Sequence, residues 1–154
     1  MTRITVHSPQ GGCGKTSLAQ ALASLGYGYA SCDPLNEVAG AAKQGVLITD
    51  TSPHWSEENA RLVAEADVLV LPIRSSPTWL VMDLERRISQ VLDGRAGKPT
   101  VVVCTSDSQE AAELMTALSP FLRRPGVTVF REVVDVRDGK CDPTKIALLA
   151  SQLF

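Results

Sequence analysis

The sequence predicts a three-layer α/β fold, with a mostly parallel central sheet flanked by helices. Short apolar, β-branched runs alternate with amphipathic segments from one end of the chain to the other. Two of those runs, Val68-Leu69-Val70-Leu71 and Val101-Val102-Val103, are apolar without alternation, which is how strands covered on both faces read. The length of 154 residues suits one domain, residues 1–154. A chain of about that size buries roughly 68–70% of its unfolded surface without a disulfide or metal to staple it.

In chain order, strands are predicted over residues 4–7, 27–32, 46–50, 68–73, 100–104 and 127–131. The first helix is marked by Leu18, Leu22 and Leu25 at intervals of three and four. Ser56 is positioned to cap the second, with Glu57 and Glu58 in the first turn, where the helix dipole favours acids. Leu80, Leu84, Ile88, Val91 and Leu92 make the third stripe, closed by Gly94 as a predicted C-cap. Ala111, Leu114, Met115 and Leu118 make the fourth. Asp142 and Pro143 read as N-cap and first residue of the last helix, ahead of Ile146, Leu149 and Leu153. Residues 95–99 read as a plain loop. Residues 34–45 leave room for only about three helical turns at roughly 1.5 Å per residue, so a crossover helix barely fits there.

Composition narrows the function classes. Fifteen Lys and Arg against 17 Asp and Glu give a net charge of −2, which argues against a globally basic nucleic-acid binder. No stretch approaches the ~20 apolar residues of a membrane span, and MTRITVHSPQ lacks a signal-peptide apolar core. A soluble, cytoplasmic protein is expected. The four cysteines fit that setting, because no pair has zinc-ligand or CxxC spacing. Cys32 and Cys104 end apolar runs and read as small hydrophobes, while Cys141 falls in a polar turn.

The chemically informative stretch is Ser8-Pro9-Gln10-Gly11-Gly12-Cys13-Gly14-Lys15-Thr16-Ser17, which leaves the first strand and opens the first helix. Glycines there let successive backbone N–H groups curl around one anion, and the helix N-terminus adds its positive end. Lys15 is placed to reach β- and γ-phosphates, and the Thr16 hydroxyl to ligate Mg²⁺. Pro9 stands where the strict GxxxxGK[ST] pattern has its first glycine. Cys13 occupies the variable position of the loop, as a tolerated small side chain or as a thiol activated by the helix end. Such a loop also needs a carboxylate at the tip of a neighbouring apolar strand to hold the metal. Asp50, ending Val46-Leu47-Ile48-Thr49, and Asp33, followed by Pro34, are the candidates.

Gln10 to Ser17, Asp33-Pro34 and Asp50-Thr51-Ser52-Pro53 together resemble the ParA/MinD family of deviant Walker A ATPases. Their loop reads KGGxGKT, their second strand ends in a DxDP-like motif and their Walker B strand in DTPP. Ala66-Asp67-Val68-Leu69-Val70-Leu71-Pro72-Ile73 and Ser75-Ser76-Pro77 are similar to the segments that follow in that family. The resemblance implies a P-loop fold that binds ATP and Mg²⁺, hydrolyses ATP slowly, and forms a nucleotide-dependent homodimer. It implies a switch in plasmid or DNA partition, conjugation or cargo positioning, with nonspecific DNA and a partner protein as ligands. It casts Gln10, Gly11, Gly12, Cys13, Gly14, Lys15, Thr16 and Ser17 as nucleotide-binding, and Thr16 and Asp50 as magnesium-holding. Lys15 and Asp33 become the catalytic pair, Asp33 orienting the attacking water. Gln10 stands where the family has its signature lysine, bringing hydrogen bonding without charge, which predicts slow turnover. The short 34–45 segment implies a truncated representative.

Other readings remain open at this level. A nucleotide-binding regulatory module with negligible hydrolysis is one, and a dethiobiotin-synthetase-like ligase or kinase on a related P-loop fold is another. Arg123, Arg124, Arg131, Arg137, Lys140 and Lys145 are either a basic patch for DNA or a solvated face. Trp55 and Trp79 follow proline-containing loops and read as interface anchors or as packing, and His54 as a loop side chain. Thr105-Ser106-Asp107 is a partial echo of a guanine-recognition signature.

Overall fold

The computed structural model describes residues 1–32, 37–75 and 81–154. Six strands, β1 (Thr2–Val6), β2 (Gly28–Ser31), β3 (Val46–Asp50), β4 (Val68–Ile73), β5 (Thr100–Cys104) and β6 (Val127–Val129), form one sheet in the order β2-β3-β1-β4-β5-β6. Every neighbouring pair is parallel. Five helices accompany them: α1 (Lys15–Ala23), α2 (Glu57–Glu65), α3 (Val81–Asp93), α4 (Ser108–Leu122) and α5 (Pro143–Leu153).

The unbroken apolar runs are explained by the two cores. In β4, Val70 packs with α1 and α5 residues Leu18, Leu22, Ile146 and Leu149, while Leu69, Leu71 and Ile73 pack with Leu84, Ile88 and Leu118 of α3 and α4. In β5, Val101 and Val103 join the first cluster and Val102 and Cys104 the second. A strand between two helical layers has no solvent face, so neither parity of residue is free to be polar.

Right-handed crossovers set which helix lies where. From β1 the chain runs outward to β2, whereas from β3 it crosses to β4 and then steps on to β5 and β6. Opposite directions of travel place α1 on one face and α2, α3 and α4 on the other. The chain thus reverses around β1, and the crevice at the carboxyl ends of β1 and its neighbours is where such sheets present ligand sites.

Between β2 and β3 the described residues 37–45 contain no helix. Val38 instead pairs antiparallel with Ser31, and Lys43 pairs with Val46 across a tight turn whose Gln44 and Gly45 have φ of 53° and 72°. This return strap lies directly on β2. A Cβ on Gly28 would meet the Ala41 carbonyl oxygen at 2.0 Å, and one on Gly40 would meet that of Tyr29 at 1.6 Å.

The capping predictions for α2 and α5 match the structure: the Ser56 hydroxyl accepts from the Asn59 N–H, and the Asp142 carboxylate from the Thr144 N–H. Gly94 does not close α3 in the left-handed region. The chain turns two residues later, at Ala96 and Gly97, with φ of 50° and 78°. The reason is Arg95, which is pulled inward and is 2% exposed. Leu25 lies beyond α1 and is 40% exposed, so the first stripe ends at Leu22. Predicted Leu80 and Trp79 lie outside the described residues. No described helix is long and apolar enough to cross a membrane.

Candidate functional site

Parallel pairing brings the carboxyl ends of β1, β3, β4 and β5 to one edge. There the His7 N–H bonds the Val70 carbonyl, the Thr51 N–H that of Val6, and the Thr105 N–H that of Ile73. The loop from Ser8 to Gly14 rises from this edge into α1. The first intrahelical bond runs from the Leu18 N–H to the Gly14 carbonyl, so the N–H groups of residues 15–17 have no acceptor within the helix. Gly14 enters the helix in the left-handed region, φ 82°, and a Cβ there would lie 2.7 Å from the Val136 side chain. Glycine is demanded by both backbone angle and space. Gln10, Gly11, Gly12, Gly14, Lys15, Thr16 and Ser17, with Pro53 opposite, line a cleft of about 320 Å³.

Beneath this cleft sits Asp50, fully buried at the tip of β3. The Lys15 ammonium donates to Asp50 Oδ1 and to the Thr51 carbonyl oxygen. The Thr16 hydroxyl donates to Asp50 Oδ2 at 2.8 Å, and the Tyr29 hydroxyl to the same oxygen at 3.3 Å. Lys15 and Thr16 therefore form one connected group with Asp50, 35 and 34 residues further along the chain.

Two side-chain oxygens of the kind a hydrated divalent cation takes stand together here. The two oxygens Thr16 Oγ1 and Asp50 Oδ2 are 2.8 Å apart. Because the Thr16 proton is given to Asp50, the lone pairs of its hydroxyl remain free for a cation. Among the described residues no group of three or more His, Cys, Asp or Glu side chains is placed to hold a metal. An ion here would take its remaining oxygens from water and phosphate, as magnesium commonly does.

Several residues besides Lys15, Thr16 and Asp50 hold the loop in place. Gln10 is 2% exposed and grips one residue of the β4 exit at both ends: its Nε2 donates to the Arg74 carbonyl at 2.7 Å, and its Oε1 accepts from the Arg74 N–H at 2.8 Å. An amide matches a peptide's donor and acceptor together, which an ammonium does not. The expectation that Gln10 reaches outward to a phosphate is corrected accordingly. Gln10→Leu is expected to lower unfolding free energy by about 2 kcal/mol, because it leaves both Arg74 backbone groups short of a partner. Urea denaturation checks this, and a loss below about 0.5 kcal/mol contradicts the clamp.

Cys13 also faces inward, at 1% exposure, and burial pushes its thiol up, against weaker pulls from Ser8 and Lys15. The idea of a thiol activated by the helix end is overturned by desolvation. The Thr105 hydroxyl donates to the Cys13 carbonyl at 2.6 Å, Ser106 accepts from the Ser75 N–H, and Asp107 caps α4. In this structure the trio serves loop support and capping. Asn59 ties the post-β3 turn by donating to the Ser52 and His54 carbonyls.

His7, at the foot of the loop, is 1% exposed, lies 2.6 Å from the Thr51 hydroxyl through Nδ1, and packs against the Trp55 ring at 5.5 Å. Burial first, and the Lys15 charge second, lower its pKa from 6.5 to about 4. The unfolded chain binds the proton more readily, so this histidine's stabilising contribution is complete above pH ~6.5 and is lost as pH falls toward 4. Denaturation between pH 7 and 4 should show a loss of about 3 kcal/mol that His7→Gln lacks. Equal pH slopes in the two proteins would contradict it.

Of the remaining sequence candidates, Asp33, Ser76, Pro77 and Trp79 lie outside the described residues. Trp55 is spent on packing against His7. Arg124 pairs with Asp93, Arg137 with Asp135, and Lys145 donates to the Val133 carbonyl, so half of the suggested basic patch has local partners.

No family model matches the chain, and no curated protein matches it. Among solved structures it is similar to a flavodoxin from the domain Archaea, with a TM-score of 0.50 and 12% identity over 99% of this chain and 96% of that one. At that identity the likeness shows a shared α/β fold. The order β2-β3-β1-β4-β5-β6 differs from the 2-1-3-4-5 winding of flavodoxins, so the agreement lies in layers and parallel strands. The resemblance to the ParA/MinD family is overturned by these comparisons. The residues that suggested it are few and serve local geometry. Glycines admit a tight turn, an aspartate ends a buried strand, and the residue at the signature-lysine position is an inward clamp.

Proposed function

We propose that this chain binds a nucleoside triphosphate, ATP, with Mg²⁺ in the cleft of residues 10–17, and hydrolyses it slowly as a nucleotide-dependent switch. The observation that carries the reading is the convergence of the Lys15 ammonium and the Thr16 hydroxyl on buried Asp50, beneath a glycine loop that opens α1. Amides at the helix start that have no acceptor within the helix would hold phosphate oxygens, and Lys15 would supply the compensating charge. Thr16 and Asp50 would hold magnesium, which when bound neutralises phosphate charge. Lys15 is the one cation among the described residues lining the cleft, and a site with so little charge stabilisation turns over slowly. The same observation favours, as a second reading, a module that binds nucleotide without measurable hydrolysis. Four unpaired thiols fit a reducing, cytoplasmic setting.

Calorimetric titration with ATP, GTP and flavin mononucleotide, with magnesium or with EDTA, tests the proposal. Magnesium-dependent ATP binding supports it; binding of the flavin alone, insensitive to EDTA, overturns it. Phosphate release with and without double-stranded DNA, and sedimentation with ATP, separate an active switch from a silent module.

A further inference from the structure

We propose that Tyr29 is a positioning residue for the magnesium-holding pair Thr16 and Asp50, an inference that rests on the nucleotide reading above. In the parallel register Ser31 of β2 stands beside Asp50 of β3, and Tyr29, two residues earlier, shares its face. The half-buried ring packs beside the first core cluster and brings its hydroxyl 3.3 Å from Asp50 Oδ2. A phenol is protonated at neutral pH and is therefore the donor of this pair.

Asp50 Oδ2 thus receives two hydroxyl protons, from Tyr29 and from Thr16, while Oδ1 is held by Lys15. The two hydroxyls do different work. Thr16 lines the cleft, so its oxygen is available to a cation. Tyr29 is absent from the cleft lining and acts through the carboxylate, fixing its rotation so that Oδ2 keeps taking the Thr16 proton. Hydrogen bonds of this outer kind tune metal affinity by roughly 10–100-fold. Phosphate contact does not pass through Tyr29, so its hydroxyl should matter for metal and hardly at all for metal-free nucleotide.

The test is ATP binding by calorimetry across a magnesium series and in EDTA, for wild type, Tyr29→Phe, Tyr29→Leu and Lys15→Ala. Tyr29→Phe should keep its EDTA affinity within about twofold and need about tenfold more magnesium to reach half of the metal-dependent gain. Tyr29→Leu should show the same magnesium shift if the hydroxyl, rather than the ring, is responsible. An unchanged magnesium requirement in Tyr29→Phe, or an equal loss with and without metal, overturns the proposal. Where wild type binds ATP and Lys15→Ala does not, such a result overturns the tyrosine role alone. Wild type that binds no ATP under either condition overturns the nucleotide reading, and this inference with it.

Discussion

Lys15→Ala is expected to weaken ATP binding by at least about 100-fold, the loss of a charge-assisted contact of roughly 3 kcal/mol. The same change removes the partner of a carboxylate that has no solvent contact, since Asp50 is 0% and Lys15 only 7% exposed. Breaking one side of a buried ion pair costs about 3–5 kcal/mol. Lost binding and lost folding must therefore be told apart. Asp50→Asn in the Lys15→Ala background removes the orphaned charge, so the double variant should recover most of the stability seen by urea denaturation while ATP binding stays lost. If Lys15→Ala folds and binds ATP as wild type does, the phosphate-loop assignment fails.

The second large effect lies at the opposite end of the sheet. Arg95→Ala is expected to reduce unfolding free energy by about 4 kcal/mol, lowering the melting temperature by about 10 °C. Its guanidinium donates to the Val63 and Ala66 carbonyls at 2.6 Å each, to the Pro99 carbonyl at 2.7 Å, and to the Thr100 hydroxyl at 3.4 Å. Two of those carbonyls belong to the last turn and C-cap of α2, where a cation also meets the negative end of the helix dipole. Truncation leaves the buried carbonyls of Val63 and Ala66 without this donor, and a void the size of the side chain. Arg95→Lys restores charge but not the planar fork, and should recover less than half of the loss. A measured cost below about 1.5 kcal/mol for Arg95→Ala would show that water replaces the guanidinium.

Residues 95–99 illustrate what one-dimensional reading misses. An arginine between Gly94 and Ala96 has every mark of a solvated loop, and nothing local reports that α2 ends above it. Gln10 misled in the opposite direction. Its place in a known kind of loop suggested an outward contact, whereas its amide is matched to the Arg74 backbone 64 residues away. Tyr29 carried no signal, and Thr105 only a partial echo of a different motif, because their partners, Asp50 and Cys13, meet them only through sheet pairing and loop docking. By contrast β4 and β5 were legible to the residue, since a strand buried on both faces reads as a continuous apolar run. The Ser56 and Asp142 caps were legible because a cap is a contact between near neighbours.

What the amino-acid order determined by itself is the set of local structures: six strands, their intervening helices, and a glycine loop ending in Lys15 and Thr16 at the first helix. Those follow from periodicity, backbone freedom and short-range hydrogen bonding, which act within a few residues. Only the tertiary structure decided that β3 lies between β1 and β2, putting Asp50 under that loop, and that residues 37–45 return as a strap on β2. It also decided which polar side chains turn inward, because the desolvation of His7, Gln10 and Arg95 depends on surfaces contributed by distant segments.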